Sequence, residues 1–252
     1  MPKYQPIFKF SKITNHLYEN LINGQLYFSS PKDFNDPFDC NFKLSDEITN
    51  EQLITHYIKY KGTEDNNVSE FIIEKINSNT NQKKQVIDLI LNMFKDIANK
   101  QGVCCFSMNP AELLLWAHYS DCHKGICLEF DFQILKGVFQ LSPVIYSKNF
   151  PIINVFDDDL SIPLQKYFCT KSTHWKYEKE IRILMPKQGL VRFPKEALKR
   201  VVFGLKTSEE EIVTIMRILK ACGYGHVKCS RTSLSADKFE LMHQGVELEY
   251  LK

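Results

Sequence analysis

Residues Lys171–Met185, KSTHWKYEKEIRILM, constrain this chain more than any other stretch. A polar loop with an aromatic cluster (His174, Trp175, Tyr177) runs directly into an apolar strand signal. Side chains two apart on a strand share a face, so Glu178, Glu180 and Arg182 are expected on one side and Lys179, Ile181 and Ile183 on the other. Buried, two carboxylates and a guanidinium at the mouth of a strand are expensive; wet, they are ordinary. Spacing alone favours a solvent-facing row of ion pairs, which contributes little to stability.

The remainder supplies ample material for a core around that strand: 252 residues, 44% hydrophobic and 25% charged. A formal net charge of +2 gives no bulk basic footprint for nucleic acid or an anionic membrane surface. No apolar run approaches the roughly 20 residues that span a bilayer. The start, MPKYQPIFKF, lacks the apolar core and cleavage site of a signal peptide, so a cytoplasmic protein without a membrane partner is expected. Eight cysteines (40, 104, 105, 122, 127, 169, 222 and 229) contain no CxxC pair and read as reduced thiols. His118, Cys122, His123 and Cys127 are zinc-ligand types. Only His118 and Cys122 share a helix face, however, and Gly125 ends the helix before Cys127, so no metal is expected.

From the amino terminus, IFKF at 7–10 alternates as a strand with Lys9 between two phenylalanines. Ser11 is expected to cap a helix with apolar positions Ile13, Leu17, Leu21 and Ile22, closed by Gly24 in the left-handed conformation. A strand LYFSS leads to SPKDFNDPFDCNF, where Asn35-Asp36-Pro37 marks a turn and Phe34, Phe38 and Phe42 are expected to pack down. Residues 47–100 read as an inserted helical segment of two or three helices, with breaks near Gly62–Asn67 and Asn77–Asn81. Its clearest stripe is Ile87, Ile90, Leu91, Phe94 and Ile97/Ala98. GVCCFS forms a strand ending at Ser107. Asn109-Pro110-Ala111-Glu112 then predicts a capped helix start, with Trp116, Tyr119 and His123 on one stripe. ICLEFDF, Ser142–Ser147, VVFGLK, HVKCS and VELEYL predict further strands, and Ser208–Cys222 a capped helix stopped by Gly223. Asp157-Asp158-Asp159 reads as a solvated turn or helix start. Strands and helices mix without strict βαβ alternation, which predicts a single α+β domain over 1–252 containing the 47–100 insertion. The GxGxxG, Walker A, GxSxG and HExxH motifs are absent from the sequence.

Four blocks, LYENLINGQLYFSSPKDFNDPFD, CFS…LLLWAHYSDCHKGICLEFD, KSTHWKYEKEIRIL and VVFGLKTSEEE, together resemble the bacterial family called domain of unknown function 2971. The resemblance spans nearly the whole chain apart from 47–100 and implies relatives without implying a reaction. A fainter resemblance is to ADP-ribosyltransferase-like proteins, which implies a mixed or antiparallel split sheet. In it, IFKF with Asn23-Gly24-Gln25-Leu26 resembles the first element with Lys9 in the basic position. Ser107, or alternatively Tyr119, resembles the second element, and Glu178-Lys179-Glu180 the third. Those enzymes carry Arg or His where Lys9 stands, and lysine lacks the planar fork of arginine.

This second resemblance implies NAD as substrate, a small-molecule nucleotide partner, and a protein or nucleic-acid acceptor. Glu180 would stabilise an oxocarbenium-like cation and Glu178 would orient or deprotonate the acceptor. Ser107 would position the ribose and Lys9 would face the pyrophosphate. Trp175, Tyr119 or Phe10 would stack on nicotinamide, with His118 and Arg182 lining the same site. Two other readings start from the same residues. One is a non-catalytic binding module of a phage-defence or toxin–antitoxin system, in which Glu178, Glu180 and Arg182 are structural ion pairs. The other is a metal-dependent nuclease or RNA-processing enzyme using His118, His123, Asp121, Glu129 and Asp131.

Overall fold

The computed structural model describes residues 4–61, 70, 73–74, 76, 80–156 and 159–246. The expected VELEYL strand, Asp157 and Asp158, and most of the two breaks within 47–100 lie outside them, apart from Val246 and the end of the second break. The chain forms two compact units. One comprises Met1–Ser29, Gly102–Val144 and His174–Lys252; the other comprises Ser30–Gln101 and Ile145–Thr173.

In the first unit, β1 (Pro6–Ser11) carries the alternating IFKF signal and α1 (Asn15–Asn23) follows it. Thr14, not Ser11, caps that helix, accepting from Leu17 N at 3.3 Å, because Ser11 is still held in the strand opposite Ile126. Gly24, at φ +64, is the expected left-handed stop, and its N–H donates to the Asn20 and Leu21 carbonyls. Of the expected apolar positions, Leu17 and Leu21 are buried and Ile13, just before the helix, packs partly against the same core, whereas Ile22 is exposed. β2 (Gln25–Phe28) completes the amino-terminal segment. The second unit takes β3 (Lys43–Leu44), α2 (Asn50–Lys61) and α3 (Thr80–Lys100). The chain returns to the first unit for β4 (Gly102–Ser107), α4 (Leu113–Tyr119), β5 (Ile126–Asp131), α5 (Phe132–Lys136) and β6 (Leu141–Pro143). β7 (Ile145–Ser147), β8 (Ile152–Ile153), α6 (Ser161–Cys169) and β9 (Thr170–Ser172) finish the second unit. β10 (Glu180–Met185), β11 (Gly189–Arg192), β12 (Leu198–Phe203), α7 (Glu209–Ala221), β13 (Lys228–Leu234) and β14 (Leu241–Gly245) finish the first.

An eight-stranded sheet in the order β14-β13-β12-β5-β1-β4-β10-β6 organises the first unit. β12 and β13 pair in parallel while the other neighbours are antiparallel, so the sheet is mixed and the fold is α+β. β1 pairs with β5 over six positions but meets β4 at one, Phe8↔Ser107, leaving a seam in the sheet. One face, bearing Ile7, Phe106, Leu128, Ile181 and Ile183, is covered by Leu17 and Leu21 of α1 and by Ile212, Ile215 and Leu219 of α7. Burying a side chain of this size contributes about 1.5–3 kcal/mol. The opposite face carries Phe8, Cys127 and Val202 against Trp116 of α4.

In the second unit β3 pairs with β8 and β7 with β9, both in parallel. Val86, Ile90, Phe94 and Ala98 form the buried stripe of α3, so its centre falls beside Ile87 and Leu91 instead of on them. Phe94 meets Phe42 and Tyr167 edge-on at 5.4 and 5.6 Å. Of the three loop phenylalanines expected to pack down, Phe42 does so, whereas Phe38 is 66% exposed. Lys171 and Asp39 form a buried ion pair at 3.7 Å. Among the described residues, no helix is long and apolar enough to cross a membrane.

Candidate functional site

The charge row at the start of β10 is not wet. Glu178, Glu180 and Arg182 are 3%, 5% and 0% exposed, which overturns the expected solvated face. The reason is topological: β10 lies inside the sheet between β4 and β6, and Ile181 and Ile183 take its other face into the main core. Nor does strand alternation place Glu178, which ends a short 3-10 helix, Thr173–Glu178. Lys179 follows at φ +45, a left-handed kink that costs a non-glycine residue about 1–2 kcal/mol.

Neighbouring hydrogen bonds hold that kink. Ser107 Oγ donates to the Glu178 carbonyl at 2.5 Å, Met108 N to the Lys179 carbonyl at 3.0 Å, and Val144 N to the Glu180 carbonyl at 3.0 Å. Strain of this kind persists where surrounding structure over-determines it, and it gathers at functional sites. Arg182 grips Glu180 with two prongs, Nε to Oε1 at 2.7 Å and Nη2 to Oε2 at 3.0 Å. Cys105 is directly opposite Arg182 in the β4–β10 register, and burial, then the Glu180 carboxylate, push its thiol pKa well up. Tyr119 donates to Glu178 Oε1 at 2.8 Å from the end of α4. His118 contacts Tyr119 and Trp175 at 6.3 and 6.1 Å between centroids, and Trp175 contacts Tyr177 at 6.0 Å.

Ser107, Tyr119, Glu178, Glu180, Arg182, His118 and Trp175 are thus gathered at one junction. Lys9 and Phe10 are placed otherwise. Alternation sends Lys9 to the face of Ile7, while the register row Phe8–Ser107–Glu180 lies on the face of α4. The Lys9 ammonium lies 5.6 Å from the Phe106 ring and donates across the seam to the Cys105 carbonyl at 3.4 Å. Burial works to lower its pKa, but Cys104, Cys105 and Glu180 outweigh this and raise it. Phe10 is met edge-on by buried Trp116 at 5.2 Å and belongs to the core behind α4.

α4 departs from expectation at both ends. It begins at Leu113 with Glu112 as cap, because Asn109 N is taken by Ser107 Oγ at 2.8 Å. It ends at Tyr119, since Asp121, Cys122 and His123 are all left-handed (φ 49, 53 and 70). The loop doubles back, so His123 still stacks on Trp116 (6.3 Å, 9° between planes), though from outside the helix. His118 and Cys122 are exposed while Cys127 is buried in β5. Glu129 is bound by Tyr4 and, at 3.4 Å, by Arg200; Asp131 caps α5 through Gln133 N at 2.9 Å. Among the described residues, no three His, Cys, Asp or Glu side chains are placed to hold a metal ion. Lys179 and Cys105 escaped sequence reasoning, since lysine carries no left-handed signal and Cys105 enters the site only through the β4–β10 register.

The segment from α4 into β10 also carries a similarity to a known family. Residues 115–183 match the family described as Protein of unknown function (DUF2971). The matched segment holds Tyr119, Glu178, Glu180 and Arg182 and runs through the aromatic cluster, while Ser107 lies before it. No curated protein and no solved structure matches the chain.

Proposed function

We propose that the junction between the 3-10 helix Thr173–Glu178 and β10 is a nucleotide-cleaving site acting on the nicotinamide–ribose bond of NAD. The observation that carries this reading is the burial of two carboxylates, Glu178 and Glu180, beside Arg182 at a strained residue. Burying charged groups opposes folding unless they are paired, and such groups concentrate where chemistry uses them. Breaking that bond builds positive charge on the ribose, which a nearby fixed carboxylate stabilises. Glu180, oriented by Arg182, takes that role. Glu178, tied to the Tyr119 hydroxyl, receives a proton from the acceptor. Ser107 acts through the Glu178 backbone, and Trp175 with His118 offers aromatic surface to the nicotinamide. The Ser107 and Glu178–Glu180 parts of the fainter resemblance agree with this assignment, whereas its basic position, Lys9, is on the other face of the sheet and takes no part.

Nicotinamide release from NAD tests the proposal. Wild-type protein is expected to release it, and Glu180→Gln is expected to lose about 100-fold or more in rate while keeping its circular dichroism. No release by the wild type, or an unchanged rate in Glu180→Gln, overturns the assignment. A second reading, a non-catalytic binding module, draws on the two-pronged Arg182 grip that engages both oxygens of Glu180. On that reading Glu180→Gln changes stability alone.

A further inference from the structure

We propose that the aromatic run Tyr119–His118–Trp175–Tyr177 is a stacking track for unpaired nucleobases, so that the acceptor brought to Glu178 is single-stranded nucleic acid. The acceptor role rests on the cleavage reading; the track rests on its own geometry. Four rings follow one another at 6.3, 6.1 and 6.0 Å between centroids, edge to face or tilted, with 71°, 67° and 43° between successive planes. The run ends at a hydroxyl donating to a buried carboxylate oxygen. His118 is exposed, and Tyr119, Trp175 and Tyr177 are half-buried, so the run borders solvent instead of filling the core.

Along Thr170–Lys179 the exposed charges are the lysines Lys176 and Lys179, while the one acid of that stretch, Glu178, is buried beneath the Tyr119 hydroxyl; the exposed acid Asp121 lies two residues after Tyr119. The left-handed turn at Lys179 leaves this lysine in solvent while the glutamates on either side are buried. Rings interleaved with lysines suit a single strand, because every base has a flat face to stack and every linkage a phosphate for a cation. A duplex hides those faces. The whole-chain charge of +2 averages this patch with acids elsewhere and so does not register it.

Fluorescence anisotropy with labelled oligo-dT and oligo-U, without NAD, tests the track, and the two arms report which sugar backbone is preferred. Binding to single strands is expected to exceed binding to a duplex of the same length. Trp175→Ala is expected to weaken it about tenfold, and Trp175→Phe to restore most of the loss, which separates stacking from misfolding. Lys176→Glu with Lys179→Glu is expected to reduce the log–log salt slope by about 1.4. Duplex bound as tightly as single strand, wild-type affinity in Trp175→Ala, equal competition by an acidic peptide, or no oligonucleotide binding at all would each overturn the proposal. Binding without nicotinamide release would keep the track and remove the cleavage reading; release without binding would do the reverse.

Discussion

Arg182 has no exposed surface, and its guanidinium is turned along its own strand toward Glu180. Removing the cation while leaving the acid strands a buried charge, so Arg182→Met is expected to lower unfolding free energy in urea by about 3–5 kcal/mol. The double variant Arg182→Met/Glu180→Leu is expected to recover most of that loss, and a double variant no more stable than the single would show that the pair is not coupled. At Lys179 the expectation is opposite in sign. Glycine accepts φ +45 without strain, so Lys179→Gly is expected to stabilise by up to about 1 kcal/mol, net of its greater freedom when unfolded. At this scale the sequence announced which residues matter but misjudged their surroundings. The i, i+2 spacing of Glu180 and Arg182 was legible; their burial was not, because it depends on β4 and β6 pairing on either side of β10.

The elements that position the site are short. α4 runs seven residues, and its far end is docked through the left-handed loop onto the segment after β12. Lys206 N donates to the His123 carbonyl at 2.9 Å, and Thr207 Oγ1 donates to the Lys124 and Gly125 carbonyls at 3.0 and 2.9 Å. Gly204 lets the backbones approach this closely, since a Cβ there would stand 2.2 Å from the His123 carbonyl oxygen. Gly204→Ala is therefore expected to destabilise by about 1–3 kcal/mol or more, seen as a lower urea midpoint; an unchanged midpoint would mean that the loop yields freely. Helix α7 was readable almost to the residue, because Ser208 and Glu211 form a capping box and Gly223 follows the end. The start of α4 was misread for a related reason. Asn109 and Pro110 offer the same local signal, but Ser107 binds the Asn109 N–H from the end of β4. One local bond, two residues long, displaced another.

For the whole molecule, the α+β class and the strands of the eight-stranded sheet other than β14 could be read from the sequence. β14, the short strands β3, β8, β9 and β11, the break of Ser142–Ser147 into β6 and β7, and the strand order could not, because pairing joins segments far apart in sequence. Acid sensitivity is a property at this scale. Burial, then Lys206, lowers the pKa of His123 below its ordinary 6.5; burial, then Arg200, lowers that of His243, against an opposing pull from Glu129. Folding then disfavours the protonated rings, so stability is complete above pH 6.5 and falls as pH drops below it through the lower native values. Thermal midpoints measured across this interval are expected to fall less in His123→Phe than in the wild type. An identical decline would assign the effect to other groups. The seam between β1 and β4 has one more consequence. A fabric stitched at a single point tears there first, so amide hydrogens of β4, β10 and β6 should exchange with deuterium as one block and those of β1, β5 and β12 as another, each with its own opening rate.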